Sequence, residues 1–244
     1  MKVNFEKLKD LDFKTNEAYK ALRTNISFCG DDIKVIALTS SVPNEGKSAV
    51  SFHLARSFAE DNKKVLYIDA DIRKSVYVAR YGVDVETVGL SHYLTGQRKL
   101  DEIIYETSID NLHTIFTGQV APNPSELLGN SKFAQLIETQ RDKYDYIIID
   151  CPPLGSVIDA AVVARQCDGA IIVIETDNVG YKIVQNVKKQ LEQSGCKVLG
   201  AVLNKVEVSG KGYYGKGYYG KGYYGKGYYG GYGSYGDYGQ DSEP

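Results

Sequence analysis

Short apolar runs alternate along the chain with longer segments of helical periodicity. Between residues 34 and 204 these runs are rich in Val and Ile, and several, such as IIID and AIIVI, are apolar at nearly every position. Such runs are typical of parallel strands that are covered by helices on both faces of a sheet. The predicted strands are Lys34–Thr39, Lys64–Asp69, Leu112–Phe116, Tyr144–Asp150, Gly169–Glu175 and Val198–Leu203.

The segments between the runs predict helices, because their apolar positions recur every three to four residues. Ahead of the first strand, Ala18, Leu22 and Ile26 fall on one stripe of a helix predicted over Asn16–Ser27. The other predicted helices are Lys47–Glu60, Glu102–Glu106, Ser125–Lys143, Asp159–Gln166 and Val179–Ser194. This alternation predicts an α/β fold with a mostly parallel sheet and helices on both of its faces.

The composition changes after Asn204. Residues 211–244 contain no Val, Ile, Leu, Phe or Met, yet they hold eleven of the 20 tyrosines and four consecutive copies of KGYYG. So few apolar side chains cannot offset the entropy of ordering a glycine-rich chain. We therefore predict a folded domain over 1–208, with 1–30 as its N-terminal helical segment, and a disordered Gly/Tyr-rich tail over 209–244.

Charge and cysteine content argue against several classes of protein, although the net charge does not exclude a local basic patch. The net charge of −2 gives no reason to expect nucleic-acid binding, which usually leaves a strongly basic face. The first residues form no signal sequence, and no run approaches the ~18 to 20 apolar residues of a membrane helix, so we expect a cytoplasmic protein. Four widely spaced cysteines and three histidines favour neither a disulfide scaffold nor a structural zinc site.

A phosphate-binding loop is predicted where the first strand of the sheet turns into a helix. Gly46, Lys47 and Ser48 stand at this junction, where backbone N–H groups converge on phosphate, the lysine adds positive charge and the serine hydroxyl can ligate Mg²⁺. The glycine that normally opens such a loop is replaced by Ser41, so the opening is expected to differ in conformation. The predicted nucleotide-binding residues are Ser41, Val42, Pro43, Asn44, Glu45, Gly46, Lys47, Ser48 and Ala49.

Acidic residues end two further strands. Asp69 and Asp71 follow one strand and Asp150 ends another. Ligands of open α/β sheets bind beyond the carboxyl ends of the strands, so these three carboxylates should gather at the phosphate loop. Arg73 and Lys74 come next along the chain and either contact phosphate or form an exposed basic loop.

These three segments resemble the Walker A, Walker A′ and Walker B motifs of bacterial tyrosine kinases, notably the separate cytoplasmic kinases of Gram-positive capsule and exopolysaccharide operons. The segments GLSHYLTG, PNPSELL and VLNK resemble parts of that family at similar places, and the tail resembles its C-terminal tyrosine cluster. The resemblance covers nearly the whole chain. It implies a P-loop NTPase-like fold and an ATP- and Mg²⁺-dependent protein-tyrosine kinase that autophosphorylates and regulates polysaccharide synthesis.

The resemblance also implies roles for individual residues. Lys47 and Ser48 would bind nucleotide phosphates and Mg²⁺, Asp71 and Asp150 would organise the metal, and Asp69 would accept the proton of a tyrosine hydroxyl. The division of roles between Asp69 and Asp71 stays open. The implied phosphate acceptors are Tyr213, Tyr214, Tyr218, Tyr219, Tyr223, Tyr224, Tyr228, Tyr229, Tyr232, Tyr235 and Tyr238.

The N-terminal helix carries Glu17, Lys20 and Arg23 at spacings of three, roughly on one face. The family has an E-x-x-R-x-x-R motif here that joins subunits into a ring, but this chain has lysine at the middle position, and lysine cannot make a bidentate guanidinium contact. A solvated charged face is the alternative. As partners, the resemblance implies further copies of the chain, a transmembrane activator that recruits the kinase to the inner face of the membrane, and a cognate tyrosine phosphatase.

Two other functions fit parts of the sequence. One is a MinD/ParA-type ATPase switch, although those proteins place a signature lysine where this chain has Val42. The other is a cohesive protein in which the Gly/Tyr-rich tail self-associates and the folded domain has no kinase activity. Phosphotyrosine on the purified protein would distinguish a kinase from a purely cohesive protein.

Overall fold

The computed structural model describes residues 2–83 and 87–207, and eight strands within them form one sheet. In the order β1-β4-β5-β3-β6-β2-β7-β8, the six strands from β5 to β8 run parallel, whereas β4 is antiparallel to β5 and β1 is parallel to β4. The strands are β1 Lys2–Val3, β2 Val35–Ser40, β3 Val65–Asp69, β4 Tyr105–Thr107, β5 Leu112–Ile115, β6 Tyr146–Asp150, β7 Gly169–Glu175 and β8 Val198–Asn204.

Helices cover both faces of this sheet. Phe52 and Tyr77, from helices on one face, pack with Ile36 and other buried side chains of the sheet, whereas Phe133 and Val187 belong to the core on the opposite face. The mostly parallel α/β fold with two helical layers is therefore confirmed. The described helices are α1 Phe13–Ser27, α2 Lys47–Glu60, α3 Tyr77–Tyr81, α4 Leu90–Leu94, α5 Pro124–Leu128, α6 Ser131–Arg141, α7 Asp159–Ala164 and α8 Tyr181–Gln193.

All six predicted strands are present within two residues of their predicted ends, but the helix predicted over Glu102–Glu106 is wrong. One 3-10 turn covers Leu100–Glu102, and the chain then forms the short strand β4. Tyr105 and Thr107 are buried while Glu106 between them is exposed, which is the two-residue period of a strand. So short a segment contains too few positions to distinguish a helical period from that alternation.

The single helix predicted over Ser125–Lys143 is two helices. Gly129 and Asn130 separate α5 from α6, and the Asn130 side chain accepts a hydrogen bond of 3.2 Å from the N–H of Phe133. Asparagine favours this capping position because its side-chain oxygen satisfies an amide that has no partner within the helix. The chain can therefore change direction between two segments that share an apolar pattern.

The start of α1 also follows from a cap. The helix begins at Phe13, three residues before the predicted Asn16, because the Asp12 carboxylate accepts a hydrogen bond of 3.0 Å from the N–H of Thr15. The predicted tail over 209–244, with the eleven tyrosines predicted to accept phosphate, lies outside the described residues. Within the described part of the chain, no helix combines the length and apolar character required to cross a membrane.

Candidate active site

The loop between β2 and α2 is held by its own buried glutamate. The Glu45 side chain is fully buried, and one carboxylate oxygen accepts hydrogen bonds of 2.6 Å from the N–H of Ser41 and 2.7 Å from the N–H of Val42. The left-handed residues of the loop are Asn44 and Gly46, with φ of 71° and 89°. The missing glycine at position 41 is therefore tolerated, because the strained conformations lie elsewhere in the loop.

This arrangement divides the predicted nucleotide-binding residues into two groups. The amides of Ser41 and Val42 are occupied by Glu45, and Pro43 has no amide hydrogen to offer. The loop from Asn44 onward leads through Gly46 directly into α2. The first N–H groups of a helix have no carbonyl partner four residues earlier within it, although that of Ala49 donates to the Gly46 carbonyl at 3.0 Å. Among the predicted nucleotide-binding residues, those from Asn44 onward therefore have the backbone N–H donors that suit phosphate.

Lys47 lies between two carboxylates that come from different strands. Its ammonium nitrogen is 3.4 Å from Asp71 Oδ2, 3.4 Å from Asp150 Oδ2 and 3.2 Å from Ser48 Oγ. Burial lowers the pKa of Lys47, but Asp150 and Asp71 outweigh that effect and leave the pKa raised, so the ammonium keeps its proton. The structure thus brings together four of the predicted site residues.

Asp69 lies beside this cluster, because it pairs in register with Asp150 on the neighbouring parallel strand. One Asp69 oxygen accepts a hydrogen bond from the Ser75 hydroxyl, and the other accepts one of 3.2 Å from the N–H of Asp71. Burial, together with the charge of Asp150, raises the pKa of Asp69 to about 7. This carboxyl group can therefore exchange a proton near neutral pH.

The contacts of Asp71 differ from those of Asp69. Asp71 Oδ2 faces the Lys47 ammonium, while Oδ1 accepts a hydrogen bond of 3.1 Å from the N–H of Lys74. Burial raises the pKa of Asp150, and the nearby Lys47 ammonium opposes that rise. Lys47 thus makes direct contact with Asp71 and Asp150, whereas the hydrogen bonds of Asp69 come from Ser75 and a backbone amide.

The carboxylates around Lys47 could bind a divalent cation that takes only a few of its ligands from the protein. Two buried carboxylates, those of Asp71 and Asp150, face the Lys47 ammonium, the buried Asp69 lies beside Asp150, and the Ser48 hydroxyl lies next to the ammonium. Within residues 2–83 and 87–207, no group of three or more His, Cys, Asp and Glu side chains could hold a metal ion by itself. Mg²⁺ is commonly bound by one or two carboxylates together with substrate phosphates and water, and this donor set fits that mode.

Sequence reasoning missed the partner of Arg73. The guanidinium donates to both oxygens of the fully buried Asp159, at 2.7 Å and 3.0 Å, and the Ser125 hydroxyl donates to the same carboxylate at 2.6 Å. Arg73 therefore ties the loop after Asp71 to the starts of α5 and α7. The PNPSELL segment contains the serine, but only the fold reveals the distant aspartate.

The predicted oligomer contact on α1 is split by the fold. Lys20 and Glu17 form an ion pair of 2.8 Å, and both side chains are about half exposed. Arg23 instead donates to the backbone carbonyl of Ser57 and lies 3.3 Å from Asp61, so it links α1 to the end of α2 within one chain. Contact with a second copy through these residues stays a prediction, and Glu17 and Lys20 are the members left accessible for it.

Comparison with known proteins places this geometry in a family. The family described as "AAA domain" matches residues 33–199. The tyrosine-protein kinase CpsD of Streptococcus agalactiae serotype III is 45% identical over 196 residues, which cover 80% of this chain and 84% of that protein. The chain belongs to the bacterial tyrosine-protein kinases.

Solved structures agree with this assignment. The kinase domain of Escherichia coli tyrosine kinase ETK superposes on this kinase with a TM-score of 0.73 and 35% identity, over 83% of this chain and 80% of that one. The septum site-determining protein MinD of Pyrococcus horikoshii, solved as a complex with Mg-ADP, is similar at a TM-score of 0.63 and 28% identity, over 72% of each chain. The fold is therefore shared with MinD, while the match to the kinases is closer.

Proposed function

We propose that this kinase transfers the γ-phosphoryl group of ATP to tyrosines of its own C-terminal tail, with Mg²⁺ as cofactor. The observation that carries the proposal is the position of the Lys47 ammonium, within 3.4 Å of both Asp71 and Asp150 where the phosphate loop enters α2. Phosphoryl transfer needs a cradle for phosphate, carboxylates that hold Mg²⁺ and a group that accepts the proton of the nucleophile. The family supplies the reaction class.

Each residue then has a role that its surroundings support. Loop residues Ser41 to Ala49 would border the phosphates, with the backbone donors supplied by the half from Asn44 onward because Glu45 occupies the amides of Ser41 and Val42. Lys47 would pair with the phosphate charge as it now pairs with the carboxylates. Ser48, Asp71 and Asp150 would hold Mg²⁺, which when bound neutralises charge on the transferred phosphoryl group. Asp69 would accept the proton from the tyrosine hydroxyl, since its raised pKa of about 7 suits a group that takes up a proton near neutral pH.

The acceptors would be the eleven tail tyrosines, Tyr213 to Tyr238, which lie outside the described residues. Glycine on either side of each Tyr pair in the KGYYG repeats leaves the backbone few steric limits, so the segment can fit an active-site cleft. We propose that the acceptor tail comes from a neighbouring copy. A homo-oligomeric ring, with Glu17, Lys20 and Arg23 near the subunit contact, would bring one copy's tail to the next copy's site.

We propose the biological setting from the resemblance to the kinases of capsule and exopolysaccharide operons. This kinase would regulate capsular or exopolysaccharide synthesis and export from the cytoplasmic face of the membrane. A transmembrane activator would recruit and stimulate it, and a tyrosine phosphatase would reverse the modification. The activator would supply the attachment to the membrane.

A mixing experiment tests transfer between copies. Full-length wild-type protein is incubated with Mg-ATP and a tagged full-length Lys47→Met form, and phosphotyrosine on the tagged chain is mapped by mass spectrometry. We expect phosphate on the tail of the inactive partner, because that partner cannot modify itself. A wild-type chain that becomes phosphorylated while the tagged partner stays unmodified at every mixing ratio would contradict the trans mechanism.

A further inference from the structure

Residues at the carboxyl ends of β7 and β8 form hydrogen bonds with the phosphate loop. The carboxylate of Glu45, besides accepting from the first two loop amides, accepts a hydrogen bond of 3.1 Å from the N–H of Glu175 at the end of β7. This buried side chain therefore joins the loop to the sheet through three backbone donors. A carboxylate that accepts several N–H groups is held in a single orientation.

Two residues at the end of β8 complete the attachment. The side-chain amide of Asn204 donates a hydrogen bond of 2.8 Å to the carbonyl of Glu45. The ammonium of Lys205 donates one of 2.8 Å to the carbonyl of Asn44 and forms an ion pair of 2.9 Å with Glu175. We call Glu45, Asn204 and Lys205 the loop bracket. It fixes two consecutive carbonyl groups of the phosphate loop.

Fixing these carbonyls also fixes the amides that share their peptide planes. In a trans peptide the C=O and the following N–H point in opposite directions. Because the carbonyls of Asn44 and Glu45 point toward Asn204 and Lys205, the N–H groups of Glu45 and Gly46 point away from these residues. Those two amides belong to the half of the loop that keeps donors for phosphate.

The approach of β8 to the loop is also very close. A Cβ atom placed on Gly46 would meet the side-chain nitrogen of Asn204, and the φ of 89° at this position also favours glycine. The Asn204 side chain therefore lies directly against the loop at Gly46. The VLNK segment can be recognised in the sequence. Its contact with a loop about 160 residues earlier becomes evident only in the fold.

We propose that Glu45, Asn204 and Lys205 are positioning residues that preorganise the phosphate loop for nucleotide. This inference rests on the proposed use of ATP by this kinase and concerns how the loop is kept ready for it. Preorganised donors bind an anion more tightly than mobile ones, because no ordering cost is incurred on binding. The bracket therefore acts on nucleotide affinity through the loop.

Lys205→Met tests the bracket, since it removes the ammonium while keeping much of the aliphatic stem. Binding of Mg-ADP is measured by calorimetry, and KM for ATP and kcat are measured on the full-length chain. We expect Kd and KM to rise about tenfold, the order expected for losing a partly exposed charged donor, while kcat at saturating ATP stays within about threefold. Asn204→Ala should act in the same direction.

Two matched variants separate positioning from a general effect of charge or folding. Lys205→Arg keeps a cationic donor and should stay within about threefold of wild type. Lys189→Met removes an exposed lysine of α8 and should change neither constant. Thermal unfolding of all variants is compared, and Lys205→Met should remain folded because its side chain is about half exposed.

The outcomes are distinguishable. If Lys205→Met and Lys189→Met had the same Kd for Mg-ADP and the same KM for ATP, the proposed role of the loop bracket would be wrong. The proposed kinase activity would not be affected. A fall in kcat with unchanged Kd would also overturn it, because the residue would then act in the chemical step. Failure of the wild-type protein to bind Mg-ADP would overturn both the bracket and the proposed function.

Discussion

At the scale of single residues, the site consists of opposing charges brought out of water together. Lys47, Asp71 and Asp150 are each less than one-tenth exposed, and each would be costly to bury alone. The lysine keeps its charge because two carboxylates face it, while Asp69 and Asp150 have raised pKa values because burial disfavours their ionised forms. These residues have charges suited to a magnesium nucleotide.

Asp150→Asn tests the metal role at this scale. The substitution keeps the shape of the side chain and removes a negative charge that would hold Mg²⁺. We expect kcat/KM to fall by at least about a hundredfold, the order lost when an electrostatic catalytic contact is removed, with partial recovery at high Mg²⁺. Activity is measured across a Mg²⁺ titration, with Asp110→Asn as an exposed control. Wild-type activity in Asp150→Asn would show that the Asp150 carboxylate has a structural role and does not hold Mg²⁺.

At the scale of elements, a partly buried ion pair joins the ends of strands and helices away from the site. Asp168 precedes β7, and its carboxylate accepts hydrogen bonds from the guanidinium of Arg141 at the end of α6 and from the N–H groups of Lys34 and Val35 at the start of β2. Burial raises the pKa of Asp168, but these hydrogen bonds outweigh it and leave the pKa lowered. Three elements therefore depend on one ionised group.

Asp168→Asn should lower the free energy of unfolding by about 1 to 2 kcal/mol at pH 7, since Arg141 is partly exposed. A lowered pKa in the folded state means that the stabilisation is present above the unfolded value of about 3.9 and is lost as the pH falls through the folded value. The difference from wild type should therefore shrink below about pH 4. Urea unfolding between pH 3 and 8 checks this, and a difference independent of pH would contradict it.

The strands and helices also differ in how well the sequence pattern predicted them. Apolar runs such as IIID predicted the central strands because both faces of a parallel sheet are buried. The short strand β4 and the break at Gly129–Asn130 were missed, since a brief alternation and a single capping side chain leave weak signals in a pattern. The site residues follow motifs at strand ends, whereas Asp159 meets Arg73 only through tertiary packing.

At the scale of the whole molecule, the proposed trans reaction requires a neighbouring copy. The exposed ion pair of Glu17 and Lys20 on α1 is the accessible part of the predicted contact, while Arg23 is engaged with α2. If the tail is modified, each phosphotyrosine adds about −1.5 to −2 charges, so crowded tails should repel one another and favour separated subunits. Added salt should screen this repulsion.

Replacing Glu17 and Lys20 together by alanine tests the assembly. Their mutual ion pair is exposed and contributes little to stability, so the domain should stay folded. We expect a smaller assembly in light scattering and several-fold slower autophosphorylation at equal protein concentration. Lys188→Ala with Glu192→Ala removes a similar exposed pair on α8 and serves as the control. An assembly of unchanged size would mean that Glu17 and Lys20 form a solvent-exposed charged face and not a subunit contact.

The proposed activity of this kinase depends on Lys47 and the carboxylates around it, which would promote transfer of the γ-phosphoryl group of ATP to tyrosine. The most direct measurement is the phosphotyrosine formed on purified full-length protein with labelled Mg-ATP, compared among wild type, Lys47→Met and the exposed control Lys63→Met, with the modified residues mapped. We predict labelled tail tyrosines in wild type and Lys63→Met and none in a folded Lys47→Met. Wild-type labelling in a folded Lys47→Met variant would show that Lys47 is not required for phosphoryl transfer.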